Sequence, residues 1–118
     1  MAVAHDPITR NNIADAVLAD IGASGLLVLR PAGDTPVIAT LPLSATAGVV
    51  TAEDLVFNTI TDDTNAVGGT VDYLTIETSG SQEVFRFNAS GDGVTLSSLT
   101  IAATDTVSCS ALTYTAPA

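Results

Sequence analysis

A mainly β fold, an antiparallel sandwich of about eight strands behind one short N-terminal amphipathic helix, is what this 118-residue sequence predicts. Three observations carry the prediction. After Gly25 the composition shifts to Val, Ile and Thr, whose branched β-carbons crowd a helical turn but suit a pleated surface. Gly, Pro, Asp and Asn clusters interrupt these runs at short intervals. The connections are too short for helical crossovers, so the strands pair antiparallel and must form two facing sheets.

The helix is read at 7–22. Asp6 and Pro7 fit an N-cap and a first helical residue, because a carboxylate can accept first-turn N–H groups and proline lacks an N–H where none is needed. Ile13, Ala14, Val17, Leu18 and Ile21 then form one stripe of a 3.6-residue period, with Asn11, Asn12 and Asp15 largely opposite. Gly22 suits the stop. A helix of this length is marginal alone, so its stripe should cover a sheet.

Strands are expected near 26–30, 37–42, 55–61, 70–77, 83–88, 94–96, 99–102 and 106–115. The tightest local signal is the pair YLTIE and EVFRF around Thr78, Ser79, Gly80, Ser81 and Gln82, a polar loop that reads as a hairpin. A period of two sends Phe85 and Phe87 to one face and Arg86 to the other. Val107 and Cys109 share one parity while Leu112 and Tyr114 share the other, which a bulge near Ser110 or Ala111 would explain. Burial of both faces there is the alternative. Length and patterning give one domain over 1–118, with an N-terminal arm at 1–6, the helix, and a sandwich over 25–116.

Charge narrows the function. Three arginines, no lysine and thirteen carboxylates leave a net charge of −10. Nucleic acid is excluded as a direct partner, since phosphate binding rests on clustered cations. The opening MAVAHDPITR lacks the basic start and apolar run of a secretory signal, and no apolar run approaches membrane-spanning length. The expectation is a cytosolic product beginning at or near Met1, with no membrane partner. The single Cys109 cannot form an internal disulfide and reads as a small buried apolar residue.

Catalytic patterns are missing. The sequence has no Gly-x-Ser-x-Gly elbow, phosphate-binding lysine loop or His-Glu-x-x-His helix, and its one histidine, His5, lies in the N-terminal arm. Neither catalytic residues nor a cofactor is implied. Asp62 and Asp63, with Asn65 close by, could offer oxygens to a cation, but they lack calcium-loop spacing and read first as a solvated turn. Gly91, Asp92 and Gly93 read as a tight turn, because no helix pattern follows them. Sugar stacking is poorly served, with no tryptophan and only Tyr73 or Tyr114 as a possible platform. What stands out is how few charges guard the strand edges, which predicts that another chain covers part of the surface.

The phrases GLLVLRPAG, VIATLPLS, AGVVTAEDLVFNTITDDTNAVGGTVDYLTIETSG and GVTLSSLTIAATDTVSCSALTYTAPA, in that order, resemble a family of small bacteriophage and prophage virion proteins. The similarity spans about residues 8–117. Gly69, Thr70 and Tyr73 match a Gly-Thr-x-x-aromatic phrase of that family, with Tyr73 where members often carry Trp. Thr75 stands in place of a frequent arginine, and SGSQEVFRF departs from the usual hairpin. The resemblance implies a non-enzymatic head decoration or cement protein on the outer capsid surface. Its partner would be the major capsid protein, and it would form a homo-oligomer, often a trimer. Ala2, Val3, His5, Arg30 and Arg86 are the candidate capsid contacts. A tail, neck or fibre-base component is the first alternative, and a host-surface or carbohydrate-binding module the second.

Overall fold

The computed structural model describes residues 5–33, 35–89 and 94–116. It is mainly β, with one helix and two four-stranded antiparallel sheets arranged as a sandwich. The elements are α1 (Pro7–Ile21), β1 (Leu26–Arg30), β2 (Ala39–Pro42), β3 (Gly48–Thr51), β4 (Asp54–Phe57), β5 (Gly69–Thr70), β6 (Tyr73–Glu77), β7 (Glu83–Asn88), β8 (Val94–Leu96), β9 (Thr100–Ile101) and β10 (Cys109–Thr115). The first sheet runs β2-β1-β6-β7 and the second β3-β4-β10-β8, while β5 and β9 form a separate two-stranded pair.

Period-two patterning explains the core. Leu27 and Leu29 of β1 stand opposite Ile76 and Leu74 of β6, which in turn oppose Phe85 and Phe87 of β7. Leu41 of β2 continues the layer beside Leu27. Leu27, Leu29, Leu41, Leu74 and Ile76 are fully buried, and each contributes on the order of 1.5–3 kcal/mol by leaving water. From the second sheet come Leu55, Leu112 and Tyr114. The Phe85 ring lies 5.7 Å from Phe87 and 5.1 Å from Tyr114, so aromatic contacts join β7 to β10 across the sandwich.

The helix reaches both sheets, touching β3 and β4 of one and β7 of the other. Its Ala14 and Ile21 are buried, with Val17 and Leu18 packed against the core, as the stripe predicts. Two details differ from expectation. Asp6 sits at the N-cap without a side-chain capping bond, and only its carbonyl accepts, from the Arg10 N–H at 2.9 Å. Asn11 is half-buried rather than outward, because its Oδ1 accepts the Glu53 N–H at 2.8 Å.

That bond belongs to an element the sequence concealed. The strand β3 pairs with β4 through a two-residue turn, Ala52-Glu53, with φ of +49° and +70°. Two-residue hairpins that match strand twist require such φ values, normally from Asn-Gly or Asp-Gly. Among the described residues, ten strands therefore stand where eight were expected. The predicted 55–61 strand ends at Phe57 because the Asn58 N–H turns to the Ala47 carbonyl. The predicted 70–77 strand breaks at Val71 and Asp72, whose N–H groups go to Leu99 and Arg30 carbonyls.

The hairpin and the bulge match expectation. The β6–β7 hairpin forms over the anticipated loop, closed by Thr78 N–H to the Gln82 carbonyl at 2.9 Å. The register of β10 against β8 shifts between Cys109 and Ala111, placing the bulge at Ser110. Among the described residues, no helix is long and apolar enough to cross a membrane.

Candidate functional site

The outward faces of the two sheets differ chemically. On the first, Arg30 of β1 and Thr75 and Glu77 of β6 point away from the core layer, as the alternation around Leu29, Leu74 and Ile76 requires. The Arg30 guanidinium donates to Glu77 Oε2 at 2.8 Å and, through Nε, to Thr75 Oγ1 at 3.3 Å. The Thr75 hydroxyl donates to the same Glu77 oxygen at 2.6 Å. Thr75 and Glu77 are buried, so this network satisfies polar groups that would otherwise cost several kcal/mol, of order 3–5 for a buried charge left alone.

Beside it, Arg86 of β7 donates to both Glu83 carboxylate oxygens, at 2.8 and 2.7 Å, and its guanidinium lies 4.9 Å from the Tyr73 ring centroid. The anticipated opposition of Arg86 to the two phenylalanines is present, and Tyr73 has a guanidinium over its ring. Both candidate contact arginines thus lie on one sheet face, each in an ion pair with a glutamate.

The second sheet presents an almost uncharged outer face. Val49, Val56 and Thr113 lie side by side across β3, β4 and β10, and Thr51, Asp54 and Thr115 form the next row. Thr95 of β8 stands beside Ala111. Val49 is 56% and Val56 46% exposed, against full burial of Leu55 on the opposite face of the same strand. Asp54, half-buried at one end, is the one charge among these eight positions. On a chain of net charge −10, a valine and threonine surface with a single carboxylate at one end is a place where another protein can approach with little charge repulsion.

Edge protection follows the same division. The first sheet ends in β2, carrying Pro42, and β7, carrying Glu83 and Arg86. The second ends in β3 (GVVT) and β8 (VTL), with no charged residue in either. The sequence signalled sparse edge charge but could not assign it to one sheet, because β3 was not visible.

The remaining candidates fall elsewhere. Ala2 and Val3 lie outside the described residues, as does the Gly91–Asp92–Gly93 turn. His5 is exposed just before α1. Asp63 organises its own loop: Oδ2 accepts the Thr40 N–H at 3.0 Å, Oδ1 accepts the Asn65 N–H at 2.9 Å, and its backbone bridges to Val107. Asp62 is exposed beside it, and the described residues contain no cluster of three His, Cys, Asp or Glu suited to a metal. Cys109 is buried, and desolvation pushes its thiol above the ordinary 9.0, partly offset by backbone hydrogen bonds to it.

Sequence reasoning missed Arg10, whose Nε and Nη2 donate to the Ala116 carbonyl at 3.2 and 2.9 Å. This bond fastens the helix beside the last strand and leaves no local signal across 106 positions. Comparison with protein-family models, curated proteins and solved structures finds no match to this chain.

Proposed function

We propose that this chain is a non-enzymatic structural protein of a phage virion, a head decoration protein that binds the outer surface of the major capsid lattice as a homo-oligomer, with a trimer as the favoured form. The observation that carries the reading is the uncharged outer face of the second sheet, where Val49, Val56 and Thr113 are presented on a rigid two-sheet scaffold. The phage-protein resemblance of the sequence supplies the biological setting.

The chemistry is compatible with that role. A capsid-binding domain gains by burying a flat apolar surface, and a stable contact commonly removes about 1,200–2,000 Å² from water in total. The charge of −10 repels packaged DNA and suits the exterior of the shell. With Arg30 and Arg86 engaged by Glu77 and Glu83 on the outer face of the other sheet, we assign the main contact to the valine and threonine face.

The test is co-purification with intact heads. The protein should remain at a fixed, high copy number per particle, and heads stripped of it should lose resistance to heat. Its absence from purified virions would end this reading, and a few copies at a single vertex would place it in the neck or tail instead.

A further inference from the structure

The ladder between β4 and β10 stops early. The strands pair at Asp54–Thr115, Leu55–Tyr114 and Val56–Thr113, and no register continues beyond Val56. Two causes are visible. On one side the chain leaves β4 for the 42–47 segment, with the Asn58 N–H bonded to Ala47 O, the Ser44 hydroxyl to Thr59 O, and the Thr61 N–H to Pro42 O. On the other, Ser110 bulges out of β10 and has no cross-strand partner there. Between them lies a cleft of about 340 Å³, lined by residues 57–60 and 109–112.

Its chemistry is specific. None of the lining residues is charged. Cys109 and Leu112 are buried within it, while Ser110 and Ala111 are exposed. Among the described residues, the N–H of Ile60, a residue only 8% exposed, has no hydrogen-bond acceptor. Buried main-chain donors are normally satisfied, so this gap in a sheet is short of the acceptors that a neighbouring strand would provide.

The geometry points to a strand-accepting slot: the cleft takes an extended segment of a partner polypeptide, which supplies main-chain carbonyls to the interrupted sheet. Strand addition draws affinity from main-chain bonds and specificity from alternate side chains. The uncharged lining selects small apolar or hydroxyl residues in the inserted part, and the net charge of −10 selects basic residues in its flanks. The slot is a property of the isolated protein, whether or not the partner belongs to a capsid.

Synthetic peptides test it directly. Probes are Lys-Val-Thr-Val-Thr-Lys, the same core with glutamate flanks, and a control with proline at both threonine positions, all with blocked ends. With peptide at twice its dissociation constant, amide exchange at Ile60 should slow about threefold. Alkylation of Cys109 by N-ethylmaleimide should slow in parallel. The glutamate-flanked peptide should act more weakly, and the proline control not at all. Ala111→Leu, which fills the cleft mouth from an exposed position, should abolish the protection while the melting curve shows a folded protein. No protection at Ile60 with millimolar basic-flanked peptide, or equal protection by the proline control, would overturn the proposal.

Discussion

Arg30 and Glu77 form a 2.8 Å ion pair across the central strands β1 and β6, on the outward side of a sheet whose other side is the hydrophobic core. The Glu77 side chain is 5% exposed and that of Arg30 22%, so neither charge is well solvated. Thr75, lying between them in the sequence of contacts, touches both partners. Removing one partner leaves the other charged and largely desolvated. Glu77→Ala should therefore lower the unfolding free energy by about 3 kcal/mol. Arg30→Ala should cost a similar amount, and the double variant clearly less than the sum. Urea unfolding of the four proteins measures this; additive losses would show that the pair is not energetically coupled.

The β3–β4 turn makes a prediction of opposite sign. Glu53 is held at φ +70°, a conformation that disfavours side chains with a β-carbon by roughly 1 kcal/mol. Glu53→Gly should stabilise the domain by about 0.5–1 kcal/mol, since the backbone bonds to Asn11 and Ala116 are retained. Asn11→Ala should destabilise it by about 1–2 kcal/mol by stranding the Glu53 N–H. Thermal melts of both variants give the signs.

Close packing fixes Gly48. A β-carbon there would collide with the Val56 carbonyl oxygen and approach the Phe57 α-carbon to 2.9 Å. These are backbone atoms of the paired strand, unable to rotate away. Gly48→Ala should cost about 1–3 kcal/mol, read from the denaturant midpoint at unchanged slope.

Cys109 gives a pH signature. Burial raises its thiol pKa in the folded state above the ordinary 9.0 of the unfolded chain. The folded protein therefore holds the proton more tightly, and this contribution is complete below pH 9.0 and is lost as pH rises through the folded-state value. Stability should decline on the alkaline side, and Cys109→Ala should make that limb shallower. Unfolding curves from pH 7 to 10.5 check it; identical limbs would contradict the assignment.

How far the fold could be read from residues depends on where each signal lay. The β6–β7 hairpin was legible because strict alternation in YLTIE and EVFRF flanks a polar loop, so the local pattern and tertiary pairing agree. The Ser110 bulge was legible because a parity change in β10 has few other physical causes. The strand β3 was not, because Ala52-Glu53 carries no turn chemistry: the turn is held by Asn11 from the helix and by the Ala116 N–H from the chain's far end. The outer face followed the same rule. Val49 and Val56 look like core residues until their strands are aligned, and only the register places them beside Thr113 in solvent.

Surface substitutions separate docking from folding. Val49→Asp and Val56→Asp alter half-exposed positions on the outer face, so each should change stability by no more than about 1 kcal/mol. Both place a carboxylate in the middle of the proposed contact, where it must be buried unpaired when the protein docks. Binding to heads should fall at least about tenfold, the effect of 1.4 kcal/mol.

The most direct measurement is the copy number of this protein on purified virions, quantified from stained gel bands for the unaltered chain and for Val56→Asp. The account predicts a fixed, high stoichiometry for the first and severe depletion for the second. Undiminished incorporation of Val56→Asp would contradict the docking face, and particles carrying no copies of the unaltered chain would contradict the virion role itself.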